Sequence, residues 1–248
     1  MSLAIETRGL TRTFGDFVAV DGVDLTVERG CFFGFLGLNG AGKSTTIKML
    51  TGLLSPTRGS VRVLDLDLAR EPLEVKRRIG VVPENLALFE NLTAREFLTF
   101  VGRMHLLERQ TIRTRSQELL ALMELDNEES RLVLEYSHGM RKKLALAAAL
   151  LHDPLVLFLD EPFEGVDAVA SRALRDLLAH YVARGSTVFL TSHVLEIVEK
   201  LCTHVGIIHK GQLVEQGPSA PGSGSLEEKF IARVGADAPR AKLDWLEA

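Results

Sequence analysis

The chain has 248 residues, with 29 Lys and Arg against 33 Asp and Glu, a formal net charge of −4, 46% hydrophobic and 25% charged residues. That length suits one large α/β domain, or a core with an inserted subdomain. The mild acidity gives no global support for nucleic-acid binding, and no run reaches the ~18 apolar residues of a membrane span. Met1–Glu6 lacks the basic and apolar regions of a secretory leader. Cys31 and Cys202 stand outside any metal-ligand spacing and read as reduced core residues.

In chain order, residues 3–8 and 17–27 read as strands, with Phe17, Ala19, Val23, Leu25 and Val27 interleaved with polar positions and Phe14-Gly15-Asp16 turning between them. Together with Ser60–Val63 they suit an antiparallel sheet. Cys31–Leu36 (CFFGFL) is a short apolar strand that runs into Gly37-Leu38-Asn39-Gly40-Ala41-Gly42-Lys43-Ser44-Thr45. A helix from Thr46 follows. Strand, G-x-x-x-x-G-K-[ST] turn and helix make a phosphate-binding loop. Glycines let successive N–H groups and the helix N-terminus face negative charge. Lys43 reaches the β- and γ-phosphates, and the Ser44 hydroxyl suits Mg²⁺. The stretch predicts a nucleoside triphosphate site.

Ser55–Gly59 is a loop and Arg78–Val82 a strand that stops at Pro83. From about Asn85 to Glu135 the apolar spacing becomes helical: Phe97, Phe100, Val101 and Met104, then Leu119, Leu120 and Met123. Thr93 with Glu96 forms a capping box. This reads as a helical insertion, followed by a buried helix over Gly139–Leu151. Leu155–Leu159, Thr187–Leu190 and Val205–Ile208 are fully apolar strands separated by helices at about 169–183 and 194–201. Such alternation predicts a mostly parallel sheet covered on both faces. After Gly217 come a Pro/Gly/Ser linker (218–225), a short amphipathic helix (Leu226–Val234) and a loose tail with Trp245. The chain has no internal repeat, hence one nucleotide unit.

Leu155–Leu159 runs into Asp160-Glu161 at the carboxyl end of a buried strand, where ligands of open parallel sheets sit. A carboxylate there is costly without a partner, and Mg²⁺ beside Ser44 would be one. Asp160 therefore reads as the metal-side acid, and Glu161 as the group that orients or deprotonates an attacking water. Ser137 is a natural N-cap before Gly139, which opens a second anion-facing helix start.

Tyr136-Ser137-His138-Gly139-Met140, just upstream of Asp160-Glu161, resembles the signature motif of ABC-type ATPases, usually Leu-Ser-Gly-Gly-Gln. The resemblance covers residues 3 to about 217. It implies an α/β P-loop NTPase core with an antiparallel β-subdomain and a helical subdomain at about 84–138. It also implies adenine stacking by Phe14, a Q-loop at Pro83-Glu84, a D-loop at Val166-Asp167 and a switch histidine at His193. His138, Met140 and Glu84 depart from the common pattern and are similar to forms found in ABC-2-type and drug-export subunits. Glu84 would add a carboxylate beside Mg²⁺. The other histidines, His105, His152, His180, His204 and His209, read as surface or satisfied residues.

The resemblance thus implies a Mg-dependent ATPase with loop residues 37–46 (Gly37 to Thr46) and Lys43 on the phosphates. Ser44, Asp160 and Glu84 would serve the metal, with Glu161, His193 and Lys43 catalytic. Ser137 and Gly139 would complete the site of a second ATPase subunit. A separate transmembrane permease docking beside residues 84–135, a cytoplasmic place at the inner membrane face, an export role and no nucleic-acid partner follow from the same resemblance. A soluble ABC-type ATPase working on nucleic acid or ribosomes shares the motifs, but such chains commonly carry two units or long coiled coils. A P-loop kinase or GTPase fits the signature and His193 poorly, and the chain has no Asn-Lys-x-Asp stretch to read guanine.

Overall fold

The computed structural model describes residues 2–166, 168–219 and 226–235. Asp167 of the expected D-loop, most of the expected linker and Trp245 lie outside them. Two sheets organise the chain. β1 (Leu3–Phe14), β2 (Phe17–Val23), β3 (Thr26–Glu28), β5 (Arg58–Val63) and β6 (Leu66–Asp67) form an antiparallel sheet in the order β2-β1-β5-β6, with β3 also paired to β1. The second sheet has the order β11-β10-β4-β9-β8-β7. Its strands are β4 (Phe32–Leu36), β7 (Ile79–Val82), β8 (Val156–Asp160), β9 (Thr187–Ser192), β10 (His204–His209) and β11 (Gln212–Pro218), all parallel except β11.

The central strands β4, β8 and β9 are buried at every residue. Period-2 alternation therefore sends side chains into two cores. Phe32, Leu36, Leu157, Leu159, Val188 and Leu190 join the core toward the helical arm. Phe33, Phe35, Phe158 and Phe189 join the core under the antiparallel sheet. Phe33 and Phe189 stack there with centroids 5.4 Å apart. Gly34 has no room for a side chain, since a Cβ would lie 2.5 Å from Val198 of the helix packed over the strand.

The predicted helical insertion is α3 (Ala94–Met104) and α4 (Arg109–Leu122), and α5 (His138–Leu150) returns the chain to the core. Thr93 and Glu96 make the capping box in full. Phe97 and Leu98 are buried, whereas Phe100 and Met104 are 42% and 68% exposed. The apolar periodicity of α3 thus covers a wider stripe than the core uses. Along the rest of the chain run α1 (Lys43–Leu50), α2 (Pro72–Arg78), α6 (Ala168–Ala183), α7 (Leu195–Leu201) and α8 (Leu226–Val234). α8 buries Leu226 and Val234 in the core on the helical-arm side. No described helix is long and apolar enough to cross a membrane.

Candidate functional site

Parallel pairing brings three strand ends to one edge. Leu36 is in register with Ser192, and Asp160 with Thr191, so the loop after β4, the acids after β8 and His193 after β9 emerge together. The loop 37–46 then folds tightly. Gly42 has φ +109° and a Cβ on it would sit 2.7 Å from the Ala19 carbonyl, while one on Gly37 would sit 2.5 Å from the Ile208 carbonyl. Only glycine fits either place. Ala41 and Thr46 are buried, and Thr46 closes the turn with its N–H and its hydroxyl on the Gly42 carbonyl, each at 2.9 Å.

Lys43 is buried. Its Nζ donates to the Gly37 carbonyl at 2.8 Å and the Leu38 carbonyl at 3.3 Å, and stands 4.0 Å from Oε1 of Glu161. The Nδ1 of His193 lies 3.0 Å from Oε2 of Glu161. Ser44 Oγ donates to Oε2 of Glu84 at 3.2 Å. Asp160, the last residue of β8, is 2% exposed.

A cavity of about 450 Å³ opens over these groups and is lined by Phe14, Asn39, Gly40, Gly42, Lys43, Ser44, Thr45, Glu84, Glu161 and His193 among the expected residues. Phe14 is 45% exposed, with the Arg12 guanidinium 4.5 Å from its ring centre. Leu38 projects from the loop, half exposed. Ser137 and Gly139 do not line this cavity. They open α5 elsewhere on the chain, where Ser137 Oγ accepts from the Met140 N–H at 3.2 Å and a Cβ on Gly139 would approach only the Gly165 carbonyl, at 3.6 Å. Ser137 is exposed. The chain therefore opens α1 at this cavity and α5 outside it.

Residues 20–164 match the family model described as ABC transporter. The chain belongs to the ABC transporter family. It is 40% identical over 220 residues to the bacitracin transport ATP-binding protein BcrA of Bacillus licheniformis, covering 88% of this chain and 71% of that protein. It is 39% identical over 228 residues to the daunorubicin/doxorubicin resistance ATP-binding protein DrrA of Streptomyces peucetius, covering 92% and 69%. A solved ATP-binding subunit of an ABC transporter superposes with TM-score 0.84 at 30% identity over 98% of both chains. A dimeric ATP-binding cassette in a post-hydrolysis state with ADP and Pi has the same fold, with TM-score 0.81 at 22% identity over 88% of this chain and all of that one. The α/β P-loop core, the antiparallel subdomain and the inserted helices are thus those of an ABC ATPase, as the motifs imply.

The ABC cassette contains groups that its motifs do not announce. The Thr191 hydroxyl donates to Asp160 Oδ1 at 2.5 Å and accepts from the Glu161 N–H at 3.1 Å, so one side chain orders both acids. Glu161 itself takes φ +50°, a left-handed turn that costs on the order of 1 kcal/mol or more in a non-glycine residue. Lys142, on α5 just past the signature, is buried and donates to the Glu161 carbonyl at 3.0 Å and to the Glu164 carbonyl. Burial pulls its ammonium below the ordinary lysine value, partly opposed by Glu164, Glu161, Glu84 and Asp160. Phe17, 64% exposed, Ala19 and Glu164 also line the cavity. Of these, the sequence singled out only Phe17 and Ala19, and those as apolar positions of a strand.

The donors present fit magnesium. A hydroxyl and two carboxylates, Ser44, Glu84 and Asp160, offer hard oxygen ligands, and no cluster of three or more His, Cys, Asp and Glu able to hold an ion occurs among the described residues. Mg²⁺ is bound in that way, by one or two carboxylates plus phosphates, more often than in an all-protein cage.

Proposed function

We propose that this chain is the ATP-hydrolysing subunit of an exporter, working as a pair and driving a separate membrane subunit. The observation that carries the reading is the split site: the phosphate loop, Glu161 and His193 share one cavity, while the Ser137–Gly139 helix start is exposed elsewhere on the same chain. A second subunit is then required to bring a signature to the triphosphate. Relatives named for bacitracin transport, daunorubicin/doxorubicin resistance and Nod factor export support the direction.

The backbone of 37–46 and Lys43 hold the phosphates, and Phe14, with Phe17, takes the adenine face. Ser44, Asp160 and Glu84 would hold Mg²⁺, which when bound neutralises charge on the β- and γ-phosphates. Glu161 accepts a proton from the attacking water, and His193, 3.0 Å away, fixes the rotamer of its carboxylate. Thr191 and Lys142 hold the backbone and side chains of this acid pair in place. Residues 1–217 form the ATPase unit, with the helical arm at about 84–138 and an accessory segment at 218–248.

The groove of about 430 Å³ lined by Leu53, Pro83, Leu86, Leu88, Phe97 and Val101 lies next to Glu84 and receives a helix of the permease. The subunit then works at the cytoplasmic membrane face, and no nucleic-acid partner is expected. Glu161→Gln is the test. ATP binding is retained while turnover falls by about a hundredfold or more, and the variant recovered in ATP from detergent-solubilised cells brings down a polytopic membrane protein. Undiminished turnover sinks the catalytic assignment; ribosomes or DNA in place of a membrane protein sink the transporter reading.

A further inference from the structure

Away from the ATP site, a cavity of about 620 Å³ lies in the groove between α3 and α4, larger than the nucleotide cavity. Four arginines line it: Arg95 and Arg103 on α3, Arg109 and Arg113 on α4. Their spacing puts each pair on one helix face turned to the other, at i and i+8 on α3 and i and i+4 on α4. The helices can approach because Gly102 has no side chain; a Cβ there would lie 2.6 Å from Ile112. One carboxylate, Glu129, lines the cavity and is taken by Arg95, whose Nε is 3.2 Å from its Oε2. No hydrogen bond or ion pair engages the side chains of Arg103, Arg109 and Arg113 among the described residues. Ser116 supplies the second observation. It lines the same cavity, is 6% exposed, and its Oγ has no hydrogen-bond partner.

Three guanidiniums without a carboxylate partner line one groove of a chain whose net charge is −4, a local concentration of positive charge that suits an anion. A buried hydroxyl without a partner is an unmet donor. We propose that the α3–α4 groove binds a phosphate-bearing ligand carrying two or more adjacent negative charges, of the diphosphate or phosphomonoester class. Guanidinium forks match phosphate oxygens in pairs, and Ser116, Gln110 and Gln117 add neutral donors beside them. The lining has no aromatic ring, so a nucleobase has no surface to stack on. The ligand is recognised by its phosphates. Bound there, it would clamp α3 to α4 and stiffen the arm that carries the segment after Glu84.

The test uses the intact chain with excess ADP and no Mg²⁺, so that the phosphate loop is filled, and equilibrium dialysis against labelled pyrophosphate. One further equivalent is expected to bind, weakened about tenfold or more in Arg109→Ala/Arg113→Ala and several-fold in Ser116→Ala, with ADP stoichiometry unchanged in both. Retained ADP binding shows that the variants fold. No equivalent beyond the ADP site, unchanged pyrophosphate binding in both variants, or equal displacement by citrate overturns the proposal. Phosphatidylcholine vesicles carrying phosphatidic acid separate the two sources: pelleting that pyrophosphate reverses assigns a lipid headgroup, and bound pyrophosphate without pelleting assigns a soluble anion.

Discussion

At the residue scale, the proposed hydrolysis rests on how firmly Glu161 is held, and two side chains outside the motif roles do much of the holding. Thr191→Val removes a hydroxyl that serves Asp160 and the Glu161 N–H together. Leaving those buried groups short of a partner costs roughly 1–3 kcal/mol, so a lower melting temperature and slower turnover are expected, with ATP still bound. Nucleotide titration and calorimetry on the same preparation check this. Lys142→Met keeps the volume but abandons the carbonyls of Glu161 and Glu164. Turnover is expected to fall by about tenfold or more while KM for ATP stays within about twofold, and Lys142→Arg recovers part of it. A proportional rise in KM would show that Lys142 supports binding and not the position of the acid. Sequence reading reached Lys43, Asp160, Glu161 and His193 because each stands in a motif with a fixed spacing. Thr191 and Lys142 escaped because their partners lie 31 and 19 residues away and only the register of β8 against β9, and the crossing of α5, brings them in.

At the element scale, the junction of α3, α5 and β7 is sealed by two histidines that are 47 positions apart. His105 at the end of α3 stacks on His152 just past α5, with centroids 3.6 Å apart. The His152 Nε2–H donates to the Ile79 carbonyl at 2.9 Å, leaving Nδ1 buried without a partner. Burial, and then the neighbouring His105, pull His152 from its ordinary 6.5 down to about 4. His105 is lowered too, by burial. The unfolded chain takes up protons on these rings that the folded chain refuses. The pair's contribution to stability is therefore flat above about pH 6.5 and becomes unfavourable as pH falls from 6.5 toward 4. Urea midpoints across that range should show the decline in the natural chain and a shallower one in His152→Leu; parallel curves would remove the pair as its source. The strands β4, β8 and β9 were legible because buried parallel strands read as continuous apolar runs. β11 was not, since Gln212–Pro218 is a half-exposed edge strand with no alternation, and α2 buries only Val75. On α3 the pattern overstated the core, because Phe100 and Met104 share the helical period yet face out.

At the scale of the whole molecule, two sheets and a helical arm place one complete triphosphate cradle and one complete signature on the same chain without joining them. The proposed pairing of two subunits would bring the two halves together. In the proposed function, ATP acts as the adhesive between two subunits, its γ-phosphate held by Lys43 of one and by the Ser137 helix start of the other. Hydrolysis removes that link. The most direct measurement is the mass in solution of Glu161→Gln, by light scattering on a sizing column, with ATP and with ADP. A doubled mass in ATP, a single chain in ADP, and loss of the doubling when Ser137→Glu is added with nucleotide binding intact are expected. A single chain saturated with ATP, or a dimer that ignores Ser137→Glu, would contradict the proposed pairing.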